Sequence, residues 1–318
     1  MTTKPALLVT MAGWDETPWA ESFAELLPDH RIVTTQDKID PAQVHYAATW
    51  KHAPGSLKAY PNLKVIFSLG AGVDHVFLDK DLPPVPVVRV VDNDLTTRMS
   101  EWVVLHVLMH HRQQRMYDWQ QHERLWDEDR FQPAARDIRV GVMGLGVLGE
   151  DAAKKLKVIG YDVAGWSRTR KHLDGIQSFA GNEEFDAFLA RTDILVALMP
   201  LTPETKGILN RDLFTKLSHD GYFGAPILLN AGRGGLQNEA DIVACLDDAT
   251  LLAVTLDVFE TEPLPQDSPL WHHARVTITP HNAAISDPEA VATYIANQIE
   301  AFEDGEPLQN VVDPKRQY

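Results

Sequence analysis

Three short stretches in the C-terminal half of the chain carry side chains suited to moving a hydride and a proton. Arg233 stands among glycines in Gly232-Arg233-Gly234-Gly235, just after the apolar run Ile227 to Asn230. Glu262 follows in Phe259-Glu260-Thr261-Glu262-Pro263, and His281 in Thr279-Pro280-His281-Asn282. A guanidinium is a planar fork of donors that grips a carboxylate and polarises a neighbouring carbonyl. An imidazolium delivers a proton to an oxygen on which charge develops, and a carboxylate beside it stabilises the charged ring and fixes its orientation. Each residue alone would be ordinary in a chain with 13 histidines and 45 acids. Arginine, acid and histidine in that order, each after an apolar run, could together serve hydride-transfer chemistry.

Such chemistry needs a hydride source, and an upstream loop offers a place for one. Gly144-Leu145-Gly146-Val147-Leu148-Gly149 follows the apolar run Ile138 to Met143 and opens a helix-like pattern with Leu148, Ala152, Leu156 and Ile159 on one face. In a strand–turn–helix unit the first glycine makes the turn, the second admits a pyrophosphate close to the backbone, and the third lets helix and strand pack. The helix N-terminus presents unpaired N–H groups to the phosphates. An NAD site usually places an acid about 20 residues further on, to accept from the ribose hydroxyls. Ser167 stands at that position, and Arg168, Thr169, Arg170 and Lys171 follow it. A carboxylate about 5 Å from a 2′-phosphate would cost roughly 3 kcal/mol per charge pair at an effective dielectric of about 20. Its absence, with Arg168 alongside, favours NADP(H).

The elements that must position these groups alternate between β-branched runs and amphipathic stretches, which predicts parallel α/β sheets. The alternation occurs twice. Strands are expected at Ala6 to Met11, Arg31 to Thr34, Val44 to Thr49, Leu63 to Leu69 and Val85 to Val91, with a helix between Trp19 and Leu27. Ser100 to Trp126 reads as one long helix. A second series of six strands runs from Ile138 to Thr279, with helices at Val147 to Ile159, Asn182 to Ala190 and Asn238 to Leu246. A last helix is expected over Pro288 to Phe302. The prediction is α/β with two doubly wound parallel-sheet domains: a flavodoxin-like substrate domain of residues 1–99 and 288–318, and a Rossmann dinucleotide-binding domain of residues 100–287.

Composition narrows the function classes. The chain has 318 residues, enough for two domains, and 29 bases against 45 acids give a net charge of −16. So negative a surface repels phosphate backbones and anionic lipid, so neither nucleic acid nor membrane is expected as a partner. The single cysteine and the lack of an apolar leader favour the cytoplasm. His106 and His110 lie four apart, but no HExxH motif or acidic cluster accompanies them, and no metal is expected. Cys245 reads as packing, and the aromatic run Tyr117 to Glu123 as a subunit contact.

The chain resembles the D-isomer-specific 2-hydroxyacid dehydrogenases, and within them the glyoxylate/hydroxypyruvate reductase A branch. The resemblance rests on Gly144 to Gly149, Trp166 to Thr169, Pro200 to Thr205, Asn230 to Gly234, Asp257 to Pro263 and Ser268 through His281. It implies NADPH-dependent reduction of glyoxylate and hydroxypyruvate to D-2-hydroxy acids. By the same resemblance Arg233 binds the 2-oxo acid, His281 is the proton donor and Glu262 supports it. Cofactor contacts are implied for Gly144, Gly146, Val147, Leu148, Gly149, Ser167, Arg168, Thr169, Pro200, Ala231, Gly232 and Asp257. Substrate contacts are implied for Ala71 and Gly72, in Leu69-Gly70-Ala71-Gly72-Val73-Asp74, and for Arg233 and His281; Trp50 is placed over the substrate as a lid. A homodimer is also implied. Gly232 stands where alanine is usual, which predicts a looser arginine loop, and Asn282 replaces an apolar residue. Two other readings stay open: a reductase of bulkier 2-oxo acids such as phenylpyruvate, and a non-catalytic NAD(P)H-sensing protein, for which a retained proton donor would have no use.

Overall fold

A computed structural model describes residues 4–316 of the chain. The chain divides into two compact units, Met1–Leu95 with Ser286–Tyr318, and Thr96–Ile285. The division falls at 95/96 and 285/286, slightly earlier than the expected 99/100 and 287/288.

The first unit holds strands β1 (Ala6–Met11), β2 (Arg31–Val33), β3 (Val44–Trp50), β4 (Val65–Ser68) and β5 (Val87–Val88), all parallel, in the order β2-β1-β3-β4-β5. This is the flavodoxin-like order. Every residue of β1 and β4 is buried, as a parallel sheet covered on both faces requires. Helix α1 (Thr17–Leu26) buries Trp19 and Phe23 on one side of it. The C-terminal helix Pro288–Glu303 joins the same core through Val291, Ile295 and Ile299. A short helix, α2 (Asp74–Phe77), follows the glycine loop after β4. Strand β5 is two residues long rather than seven. Pro86 has no N–H to give a ladder, only its carbonyl, which accepts from Ile66 N at 3.0 Å, and the paired residues start at Val87.

The expected single helix over 100–126 is two helices. α3 (Asn93–His111) stops before Gln113, whose φ of 54° lies in the left-handed region, and α4 (Gln114–Glu123) begins after it. No glycine or proline marks the break. His106 and His110 on α3 have separate tasks. His106 Nδ1–H donates to Trp102 O at 2.8 Å, and His110 Nε2 pairs with Thr255 Oγ1 at 2.7 Å. Burial pushes both imidazoles down, His110 to about 3. A histidine that stays neutral when folded but protonates near 6.5 when unfolded makes the unfolded state bind the extra proton. Stability is then complete above about pH 6.5 and is lost as pH falls from there toward 3, with a slope approaching about 1.4 kcal/mol per pH unit. Urea unfolding at pH 7.5 and 5.5 should show the loss, and His110→Gln should remove much of it. An unchanged pH slope in the variant would overturn this account.

The second unit is built on β6 (Arg139–Met143), β7 (Asp162–Ser167), β8 (Gln177–Ala180), β9 (Ile194–Ala197), β10 (Ile227–Asn230), β11 (Ala253–Leu256) and β12 (Val276–Ile278). The order is β12-β11-β10-β9-β6-β7-β8, all parallel. Counted from β6 this is the Rossmann order with a seventh strand beyond it, and the switch point lies between β6 and β9. The sheet has seven strands where six were expected; β8 is the addition. Helices α5 (Val147–Ile159), α6 (Phe185–Ala190), α7 (Arg211–Lys216) and α8 (Glu239–Asp247) complete the unit. Apolar clusters cover both faces, one around Phe188, Phe214 and Leu256, the other around Val103, Tyr161 and Val196.

Candidate active site

The loops of interest all leave the carboxyl ends of the strands of the second unit, where open α/β sheets bind ligands. Gly144 follows β6 with φ of 108°, and a Cβ there would meet Leu198 O at 2.9 Å. A Cβ on Gly149 would stand 1.8 Å from Gly144 O, so the turn closes only with glycine at that point. Gly146, the N-cap of α5, is different: nothing lies within 4 Å of where its Cβ would be. Neither sterics inside the protein nor a left-handed φ requires glycine there, and the open side suits a ligand approaching the backbone. No side chain caps α5, so the amides of its first turn, including Val147 and Leu148, are available to a diphosphate. The helix buries Gly149, Ala152, Ala153 and Leu156; Ile159, expected on that face, is exposed at its end.

At the tip of β7, Ser167 Oγ–H donates to Thr169 O at 2.8 Å and shapes the turn that carries the exposed Arg168. Arg170 is engaged elsewhere, with Glu184 and, at 2.5 Å, with Ser178 O. Across from this turn lies the loop after β9, in which Thr205 Oγ1–H donates to Pro200 O at 2.8 Å. The Thr202 hydroxyl holds the Glu204 carboxyl below the usual carboxylate range, and the charge of Arg168 adds to the effect. The residues present therefore fit a dinucleotide carrying a 2′-phosphate: a glycine-walled helix N-terminus for the diphosphate, and for the ribose end a turn that carries arginine and no acid of its own, with Glu204 facing Arg168 from the loop after β9.

The arginine loop is mounted by residues to which the motif reading gave no role. Asn230, fully buried at the end of β10, accepts from Gly232 N at 3.0 Å. Its amide donates to Arg233 O at 3.1 Å and to Gln237 Oε1 at 2.8 Å. Gln237 in turn donates to Val258 O at 3.0 Å. Arg233 Nη1 donates to Gly232 O at 2.7 Å. Glycine at 232 tightens this loop rather than loosening it. A Cβ there would stand 2.8 Å from Met199 O and 2.9 Å from Leu236 Cδ1, so its absence lets the loop lie against the strand-end backbone. Gly234 is closer still, its Cβ position being 1.8 Å from Phe259 O. The arginine loop thus rests on the segment that leads to Glu262.

Glu262 is fixed at both oxygens. Oε1 accepts from Phe259 N at 3.1 Å, and Oε2 accepts from His281 Nδ1 at 2.7 Å. The His281 ring is partly exposed, at 38%, which leaves it reachable by a ligand. With Nδ1 engaged by Glu262, Nε2 is the ring nitrogen that a ligand could meet. His281 itself has φ of 52°, and its N–H donates to Asp257 O at 2.8 Å. Asp257, expected to touch the cofactor, is 2% exposed and works on this loop. Its carboxylate accepts from Thr279 Oγ1 at 2.5 Å, from Asn282 N at 3.0 Å and from Ala283 N at 3.1 Å. Trp102 Nε1–H donates to Thr279 Oγ1 at 3.0 Å and completes the mount. Ala231 is buried directly after β10. Trp50, Ala71 and Gly72 belong to the first unit. Trp50 ends β3, and its Cζ3 lies 2.8 Å from where a Cβ on Gly70 would be; Ala71 and Gly72 are partly exposed in the loop between β4 and α2.

The family model for the D-isomer specific 2-hydroxyacid dehydrogenase NAD binding domain matches residues 104–283. The chain belongs to the D-isomer specific 2-hydroxyacid dehydrogenases. It is 40% identical over 316 residues to glyoxylate/hydroxypyruvate reductase A of Escherichia fergusonii, covering 96% of this chain and 97% of that one. Among solved structures it is similar to the NADPH-dependent glyoxylate/hydroxypyruvate reductase of Sinorhizobium meliloti in complex with NADP and sulfate, with 46% identity and a TM-score of 0.94 over 99% of this chain and 100% of that one. A probable 2-hydroxyacid dehydrogenase from Rhizobium etli, in complex with NADP, HEPES and L(+)-tartaric acid, gives 47% identity and a TM-score of 0.94 at the same coverage. Among the described residues of this dehydrogenase no helix is long and apolar enough to cross a membrane.

Proposed function

We propose that this dehydrogenase reduces glyoxylate and hydroxypyruvate with NADPH to the D-2-hydroxy acids. The observation that carries the reading is the His281–Glu262 pair at 2.7 Å, mounted beside the arginine loop. NADPH supplies the hydride that reaches the carbonyl carbon. Arg233 grips the substrate carboxylate and draws charge from the ketone oxygen. His281 Nε2 gives that oxygen its proton, and the Glu262 carboxylate stabilises the imidazolium before transfer. In oxidation the neutral ring takes the proton back. The amides of Ala71 and Gly72 support the substrate carboxylate, and Trp50 walls the space for its side chain. Gly144, Gly146, Val147, Leu148 and Gly149 hold the diphosphate, Ser167, Arg168 and Thr169 the 2′-phosphate, and Pro200, Ala231 and Gly232 line the way to the nicotinamide. The working protein is a cytoplasmic homodimer in this reading. The exposure of Trp126 at 97% and Phe131 at 85% supports a covered face, and light scattering at micromolar concentration tests it.

One spectrophotometric series tests the activity: NADPH and NADH oxidation with glyoxylate, hydroxypyruvate, pyruvate and phenylpyruvate. Glyoxylate and hydroxypyruvate with NADPH should be the fastest pairs. No turnover with any of the four would end the enzymatic reading, and phenylpyruvate as the best substrate would shift it to bulkier acids. Ser167→Asp should lower the preference for NADPH over NADH about 100-fold, the factor that corresponds to roughly 3 kcal/mol of charge repulsion. An unchanged preference would place the 2′-phosphate elsewhere.

A further inference from the structure

Four residues interlock around the glycine loop of the first unit: Trp50, Ser68, Gly70 and His75. Ser68 is fully buried and His75 is 5% exposed. Ser68 Oγ–H donates to Gly72 O at 2.8 Å, and the same oxygen accepts from Gly70 N at 3.3 Å. A serine has one hydroxyl hydrogen, and Gly72 O takes it. His75 Nε2, 3.1 Å from Ser68 Oγ, is therefore the donor in that contact. His75 Nδ1 then carries the lone pair, and it accepts from Lys51 N at 3.1 Å. These two contacts select the Nε2–H tautomer.

The imidazole joins two pieces of chain that sequence keeps apart. One is the loop 68–72, whose shape Ser68 holds from both sides. The other is the corner Trp50-Lys51 at the end of β3. Lys51 has φ of 54°, a left-handed conformation that a non-glycine residue rarely adopts and that persists only where neighbours hold it. His52, next along, is anchored separately to Thr49 Oγ1 at 3.0 Å and Asp79 Oδ2 at 3.1 Å. The Trp50 indole leans on the His75 ring, with centroids 4.4 Å apart at 51°, while its other edge lies over Gly70.

We infer that His75 is a positioning residue for substrate: by bonding Ser68 and Lys51 it sets the spacing between the loop that receives the 2-oxo acid carboxylate and the Trp50 wall that sizes its side chain. The inference rests on the proposed reading of Ala71, Gly72 and Trp50 as substrate contacts. His75 touches neither substrate nor cofactor, so its loss loosens substrate binding rather than slowing proton or hydride transfer.

Steady-state kinetics of His75→Phe, His75→Gln and Trp50→Ala test it together. Phenylalanine keeps a ring against Trp50 and removes both hydrogen bonds. It should raise KM for glyoxylate and hydroxypyruvate about tenfold, the factor expected for about one net hydrogen bond. It should leave kcat within about twofold and KM for NADPH unchanged, and it should narrow the preference for small acids over phenylpyruvate. Glutamine offers an acceptor to Lys51 N and a donor to Ser68 Oγ, and should restore most of the KM. If Trp50→Ala moves the substrate KM while His75→Phe does not, the inference falls and the pocket reading stands. If neither moves it, both fall. A glutamine variant no better than phenylalanine, or a kcat that drops together with NADPH affinity, also overturns the inference. Should His75→Phe fail to fold, Ser68→Ala carries the same test, because it releases the loop from the same tie.

Discussion

His281→Asn lowers kcat for reduction of glyoxylate by about three orders of magnitude, within the range that general acid catalysis by a positioned side chain contributes, and leaves KM for NADPH nearly unchanged. Asparagine is the informative replacement. Position 281 has φ of 52°, which asparagine tolerates better than alanine does. The backbone bonds of the residue, from its N–H to Asp257 O and Thr279 O, do not involve the side chain. The loop therefore keeps its course while the proton donor is lost. Stopped-flow mixing with a slow substrate measures the chemical step directly, and fluorescence titration measures NADPH binding. A variant that turns over as fast as the parent would remove His281 from the mechanism. A variant that loses NADPH binding to the same extent would recast it as a structural residue.

Arg233→Gln lowers kcat/KM for 2-oxo acids by a comparable factor, and Arg233→Lys recovers only part of it. Truncating one partner of a hydrogen-bonded charge pair costs about 2–5 kcal/mol, and lysine lacks the two-pronged geometry that matches a carboxylate. Folding should survive both changes, since Asn230 and the close approach of Gly232 and Gly234 hold the loop through its backbone. Equal melting temperatures with collapsed kcat/KM would bear this out; unimpaired kinetics in either variant would refute the assignment.

Much of the dinucleotide unit was legible because its motif residues obey separate physical demands. Gly144 needs a positive φ and Gly149 needs a missing Cβ, and both demands leave a glycine in the sequence. The contact between Glu262 and His281 was legible as a pairing of chemically suited side chains in sequence order, each following an apolar strand. What stayed hidden was the mounting. The partners of the Asp257 carboxylate include backbone N–H groups about 25 residues away, which no side-chain pattern announces. Asn230 stands at the start of a motif segment and Gln237 does not, and no spacing rule gave either of them its role in holding the loop. Strand β8, Gln177–Ala180, lies at the sheet edge with no residue fully buried, so it lacks the apolar run that revealed its neighbours. The break at Gln113 was invisible because an ordinary residue there adopts a left-handed turn.

The way Asp257 is bonded has an implication for how new specificities could arise. Asn282 supplies its main-chain N–H to that carboxylate, while its side chain is exposed. Any residue except proline brings the same N–H. Next door to the histidine proposed as proton donor there is thus a site where side-chain chemistry is uncoupled from the alignment of that loop. A saturation library at 282 samples altered substrate preference without dismantling the machine.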